Sequence, residues 1–156
     1  MKSLLTALLL TTAITLPTAS SAKQEVTLTA QMKGYYGNPA YLAFYVTDAN
    51  GQYKGSLWMA GGRSKYYRHL RGWMRGSRGN LGDINGITGA SVGSGRSLSV
   101  TLNLSDALFD AGYVLHIDAA AENMTESQDD VRVPLTTSGA GKAVAGRSYI
   151  ASFSYQ

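Results

Sequence analysis

Cysteine is absent from this chain, which excludes disulfide scaffolds, thiolate metal sites, iron–sulfur clusters and cysteine nucleophiles. Histidine is nearly absent too: His69 and His116 are the only two. A pair of distant imidazoles with scattered carboxylates is not a metal-ligand spacing. Neither a Gly-x-Ser-x-Gly elbow nor a His-Glu-x-x-His pair occurs, so the usual marks of serine and zinc hydrolases are missing. Asp129-Asp130 lacks the partner residues of a catalytic carboxylate dyad and is expected as a solvated strand start. The net charge is a modest +4 over 156 residues, and the basic residues are too sparse to make nucleic acid the expected partner. There is no repeat, linker or long block of charge, and no second apolar run follows the first.

That first run carries an address. Lys2 precedes the apolar stretch Leu4 to Leu16, Pro17 breaks it, and Ser20-Ser21-Ala22 places small residues before a cut. Residues 1–22 therefore read as a secretory signal peptide, too short to span a bilayer comfortably. No twin-Arg pair opens it, so the general export route and the bacterial periplasm are expected, with any cofactor added after export. Residues 23–156 remain, a length that suits one domain. A domain of that size buries roughly two-thirds of its unfolded surface and needs neither metal nor disulfide. The mature chain is expected to be soluble and not itself membrane-spanning.

Strand signals dominate it. Val26, Leu28, Ala30 and Met32 alternate with polar neighbours, the period of a half-buried strand. Tyr41 to Thr47 is an aromatic and β-branched run, Asp48-Ala49-Asn50-Gly51 is turn chemistry, and Tyr53 to Met59 returns as the second arm of a hairpin. Leu98 to Leu104 and Tyr113 to Ala119 alternate again; Val131 to Leu135 and Tyr149 to Tyr155 complete seven short strands. The expected fold is all-β, an antiparallel sandwich.

One segment departs from this period. From Ser64 to Arg75, the apolar residues Tyr66, Tyr67, Leu70, Trp73 and Met74 fall at helical spacing. Ser64 is the expected N-cap and Gly76 the expected stop, while Gly72 inside costs about 1 kcal/mol against Ala. Arg63, Lys65, Arg68, Arg71, Arg75 and Arg78 surround this helix. They read first as a solvated helix face, with a phosphate site or a contact for anionic lipid or an acidic partner as the alternatives. Trp58, Trp73, Tyr66 and Tyr67 are core candidates that could also stack on a planar cofactor. Between the helix and Leu98 the chain is glycine-rich and expected as irregular loop.

Within that loop lies Asn85-Gly86-Ile87-Thr88-Gly89-Ala90-Ser91. Read plainly, it is a small-residue stretch opened by the common turn pair Asn-Gly. It also resembles the sequence at which periplasmic flavin transferases attach FMN to a protein hydroxyl: Asp, two small or apolar residues, Ser or Thr, Gly, Ala, then the acceptor. Asn85 stands where that pattern has Asp, keeping the shape and losing the charge; Asp83 lies nearby but out of register. A match this loose arises by chance in on the order of one chain in a thousand of this length.

A wider resemblance covers nearly the whole mature chain. Tyr41 to Gly51, Leu57-Trp58, Lys65 to Trp73, the Thr88-Gly89-Ala90-Ser91 box and Gly112 to Ala120 resemble the periplasmic domain-of-unknown-function family 2271. The resemblance implies an immunoglobulin-like sandwich over residues 23–156, associated with flavin transferases and PepSY-type membrane proteins in extracytosolic electron transfer and iron reduction. By that register Ser91 is the FMN acceptor, Thr88 shapes the turn, and Gly89 and Ala90 let a transferase close over the peptide. The implied protein is a redox carrier rather than a catalyst of its own reaction. The alternative expectation is a sandwich that binds a glycan or protein through an aromatic face including Tyr35, Tyr36 and Tyr53.

Overall fold

Alternation of apolar residues at period two gives β1 (Lys23–Met32) its form: Val26, Leu28, Ala30 and Met32 turn inward and their neighbours outward. The computed structural model describes residues 22–156, so the expected signal peptide lies outside the described residues except for Ala22. The seven expected strands all form. They are β1, β2 (Tyr41–Thr47), β3 (Tyr53–Ala60), β5 (Ser97–Ser105), β6 (Val114–Ala120), β7 (Ser127–Pro134) and β8 (Ile150–Tyr155). An eighth, β4 (Thr88–Gly89), arises where irregular loop is expected.

The strands make two sheets, β5-β1-β8 and β4-β3-β2-β6-β7, in which every pairing is antiparallel except the short β3–β4 contact. The β2–β3 hairpin turns where the sequence indicates, with Asp48 Oδ1 accepting from the backbone N–H groups of Asn50 and Gln52 at 2.9 Å each. The main core lies between the sheets around Leu28, Leu42, Phe44, Ile117, Ile150 and Phe153.

Alternation fails in β2 and β6, whose residues are buried on both faces. The cause is the helical segment, which folds over the outer face of the larger sheet. Tyr67, Leu70 and Trp73 pack there against Ala43, Tyr45, Met59 and Ala120, forming a second core. The segment is not the single helix that the spacing indicates. A 3-10 helix spans Ser64–His69, Leu70 breaks the run at φ −89° and ψ 77°, and α1 (Arg71–Ser77) follows. Ser64 makes no cap, and α1 runs through Gly76 to end at Arg78 in the left-handed conformation.

The break at Leu70 aims the first turn of α1 at a buried carboxylate. Asp118, 1% exposed on β6, accepts from Trp73 N at 2.7 Å, from Asp129 N at 2.9 Å and from the Tyr45 hydroxyl at 3.4 Å. A bulge in β7 makes the second of these bonds: Ile117 pairs with Val131 and Ala119 with Ser127, and Asp129 sits between at φ 51°. Burial raises the Asp118 carboxyl above the ordinary carboxylate range. The expectation of a solvated Asp129-Asp130 is therefore corrected. Asp130 is 1% exposed and accepts from Ser127 Oγ and from the N–H groups of Ser148, Tyr149 and Ile150. Asp129 takes a hydrogen bond from buried His116 at 2.7 Å, which lowers its carboxyl.

Gly72 has a different reason from the one its helical position suggests. A Cβ there would stand 2.9 Å from Asp118 Oδ2 and closer still to the Tyr45 hydroxyl. Tyr45 cannot yield easily, because its ring stacks on His116 at 4.9 Å and 7°. Helix propensity alone makes Gly72→Ala stabilising by about 1 kcal/mol, whereas overpacking costs about 1–3 kcal/mol. The clash wins, so Gly72→Ala should lower the urea midpoint; a raised midpoint would show that α1 does not press this closely on β6.

Candidate functional site

The seven-residue box is pinned, not loose. Asn85 and Gly86 are the central residues of a turn closed by Ile87 N to Ile84 O at 3.1 Å, with Asn85 at φ −61° and ψ 121° and Gly86 at φ 79°. These are the angles of a type II turn, whose third position favours Gly. The plain turn reading of Asn-Gly is thus correct, and the turn is made there rather than at Thr88. Thr88 belongs to β4 and its hydroxyl makes no hydrogen bond among the described residues. The chain then runs beside β3, with Met59 N donating to Ile87 O at 2.9 Å and Gly61 N to Gly89 O at 2.8 Å. Val92 and Ala40 exchange both backbone bonds, at 2.7 and 2.8 Å. Ala90 and Ser91 bridge these two anchor points.

Gly89 lies under an indole ring: a Cβ would fall 2.7 Å from Trp58 Cζ2. Its smallness therefore serves packing within the protein. Asp83, two residues before Asn85, has both carboxylate oxygens engaged. Its two oxygens accept from the Tyr53 hydroxyl at 3.2 Å and from Asn80 Nδ2 at 3.0 Å.

Ser91 lies half-buried on the rim of a cleft of about 520 Å³ at one end of the sandwich. Its hydroxyl has no hydrogen-bond partner among the described residues. Of the five residues of the attachment pattern, Asn85, Thr88, Gly89, Ala90 and Ser91, the cleft receives Ser91 alone. Asn85, Thr88 and Ala90 are exposed outside it. The other lining comes from remote segments: Tyr41 at the start of β2, Arg63, Tyr66 and His69 from the helical excursion, and Met124 and Glu126 from the β6–β7 connection.

Tyr41 and Tyr66 meet edge to face at 5.6 Å and 79°, and the Lys65 ammonium sits 4.9 Å from the Tyr66 ring centre. Tyr41 also accepts from Arg63 N at 3.2 Å, tying the excursion to β2. His69 Nδ1 donates to Glu126 Oε1 at 2.6 Å, and Arg71 Nε pairs with the other oxygen. The bond from His69 holds the Glu126 carboxyl below its ordinary range, with Arg71 adding to the effect. Among the described residues the Arg63 guanidinium has no hydrogen bond or ion pair.

The other sequence candidates divide. Trp73 and Tyr67 are core, Trp58 covers Gly89, and Tyr66 alone of the four lines the cleft. The six basic residues are all exposed, with Arg75 reaching Gln128 at 3.3 Å. Of the tyrosines expected on an aromatic face, Tyr35 packs edge-on to Tyr149, Tyr53 bonds Ser56, and Tyr36 stands fully exposed. Glu126, Met124 and Asn38 were not legible as site residues, because only β-pairing between distant segments brings them to Ser91. Among the described residues no group of His, Asp and Glu is arranged to hold a metal ion, and no helix is long and apolar enough to cross a membrane.

The strap geometry sets a contrast between neighbours. Ser91→Ala removes a hydroxyl with no partner and should change the unfolding free energy by less than about 0.5 kcal/mol. Gly89→Ala drives a methyl into Trp58 and should cost about 1–3 kcal/mol with a changed tryptophan emission. Equal urea midpoints for the two variants would contradict the strap.

No curated protein and no solved structure matches the chain. Residues 23–152 match the family described as predicted periplasmic protein (DUF2271), a span that takes in both sheets, the excursion, the strap and the cleft. The chain belongs to this family of predicted periplasmic proteins.

Proposed function

We propose that this protein is a periplasmic electron carrier whose redox group is FMN joined to Ser91 through a phosphodiester. The observation that carries the reading is the Ser91 hydroxyl, free of partners, at the rim of a cleft whose volume of about 520 Å³ lies within the usual range for a cofactor site. Attachment needs a hydroxyl that an enzyme can reach without unfolding the domain. Ser91 offers one between two backbone anchors, so the acceptor is presented in a fixed place.

In the transfer, Ser91 Oγ forms a P–O bond to the FMN phosphorus of a flavin dinucleotide while the dinucleotide's pyrophosphate bond breaks, and the nucleoside monophosphate leaves with the serine proton. The chain thereby gains one FMN less water. When bound, flavin supplies one- and two-electron redox chemistry. The chain's own part is to tether and orient it: Ser91 fixes one end, and the cleft beside it offers a partly apolar, partly polar lining. A flavin transferase is the proposed modifying partner, and a PepSY-type membrane protein the proposed electron donor or acceptor, both on the strength of the family resemblance. Extracytosolic reduction, of iron among other acceptors, is the proposed setting.

Co-expression with a periplasmic flavin transferase tests the attachment. Wild-type protein should show an intact mass raised by one FMN less water and in-gel flavin fluorescence. Ser91→Ala should show neither while keeping its β-sheet circular dichroism, and Thr88→Ala, whose hydroxyl has no bond to lose, should remain modified. Covalent flavin on folded Ser91→Ala would overturn the assignment.

A further inference from the structure

We infer that the cleft beside Ser91 is itself a binding site for a flavin, with Tyr66 as the wall that takes the isoalloxazine face and Arg63 as the anchor for the phosphate. This rests on the proposed flavin function, but it assigns the cleft an affinity that does not need the covalent bond.

Three observations point to it. First, Tyr41 and Tyr66 stand nearly perpendicular, 79° apart with centres 5.6 Å apart. Such a corner suits a planar heteroaromatic group, flat on one ring and edge-on to the other. The Tyr66 hydroxyl makes no hydrogen bond among the described residues; the Lys65 ammonium lies over one face of the ring, 4.9 Å from its centre, so a flavin stacks on the other face or displaces it. Met124 adds a polarisable thioether to the same lining.

Second, Glu126 in the cleft is paired with His69 and Arg71, while Glu122 accepts only from the neutral Asn38 Nδ2 at 3.3 Å and keeps its charge. Arg63 is left with an unpaired guanidinium in the cleft that also holds Ser91. A planar guanidinium binds phosphate oxygens in pairs. It therefore matches a phosphate carried to, or fixed at, the Ser91 hydroxyl.

Third, the corner is built, not incidental. Tyr41 is held by Arg63 N, and Tyr67 beside it donates to Gly61 O at 2.7 Å. The excursion that carries Tyr66 and Arg63 is in turn bonded to the sheet through Asp118. A site assembled from rigid elements loses little freedom on binding.

The test uses the full mature chain produced without a transferase, so that no flavin is attached, with riboflavin and FMN as probes. Titrating the protein should quench the fluorescence of both. Tyr66→Ala should weaken both by about tenfold, the scale of one lost aromatic contact. Arg63→Gln should weaken FMN and leave riboflavin unchanged, a split that a merely structural effect would not give. Circular dichroism confirms that each variant is folded. No quenching by the folded wild-type protein, or equal quenching by Tyr66→Ala, would overturn the inference. The covalent reading fails separately, by intact mass. A chain that a transferase loads but that binds no riboflavin before loading sinks the cleft and keeps the attachment; riboflavin binding by a chain that is never loaded sinks the attachment and keeps the cleft.

Discussion

A single buried carboxylate fastens the helical excursion to the outer face of the larger sheet. Asp118 takes backbone hydrogen bonds from Trp73 on α1 and from Asp129 in the β7 bulge. A buried ionisable group left without partners would cost several kcal/mol, so these bonds offset a penalty that burial has already imposed. The pairing has geometric consequences. Gly72 must be small for α1 to come this close, the helical run must break at Leu70 to point its first turn inward, and β7 must bulge to bring Asp129 N into line. Covered in this way, the outer face of the larger sheet becomes a second core around Trp73 and Tyr45.

The cleft depends on that arrangement. Its helical wall is the 3-10 turn that precedes α1, carrying Tyr66 and His69, and the docking of α1 sets where this turn can lie. The opposite contribution comes from the connection after β6, where Glu126 meets both His69 and Arg71. Ser91 arrives by a third route, along a strap fixed at β3 and at Ala40. Three segments far apart in the chain thus meet at one end of the sandwich. Any ligand held there would be oriented by elements that cannot shift independently.

Much of the fold was legible because period-two alternation and turn residues report it directly. β1 and β5 show one face to the core and one to water, and their sequences alternate accordingly, while β8 alternates only from Ser152 to Tyr155 because its register shifts at Ile150. β2 was read as an aromatic and β-branched run and β6 as an alternating strand, and neither reading indicated burial of both faces. Ala43, Tyr45, His116 and Asp118 sit where an exposed face would be, and only tertiary docking covers them. The single helix from Ser64 to Arg75 was wrong in form and right in place: the helical period was real, and the demand for hydrogen bonds at Asp118 broke it. The solvated reading of Asp130 failed for a related reason, since four local donors in the Ser127 and Ser148–Ile150 segments make its burial affordable. At the site, Ser91 could be singled out from a seven-residue pattern. Arg63 and Tyr66 were visible only as members of a basic, aromatic helix. Glu126 and Met124 had no sequence signal, because their role follows from strand pairing across the sheet.

Mapping the modified residue tests the central claim most directly. Wild-type protein recovered from cells that carry a periplasmic flavin transferase would be digested with trypsin and the flavin-fluorescent peptide sequenced by tandem mass spectrometry. The account predicts one modified peptide, cleaved after Arg78 and Arg96, with the FMN-derived mass on Ser91 and none on Thr88 or Ser94. Flavin on either of those neighbours, on a hydroxyl elsewhere in the chain, or on no residue at all would contradict it.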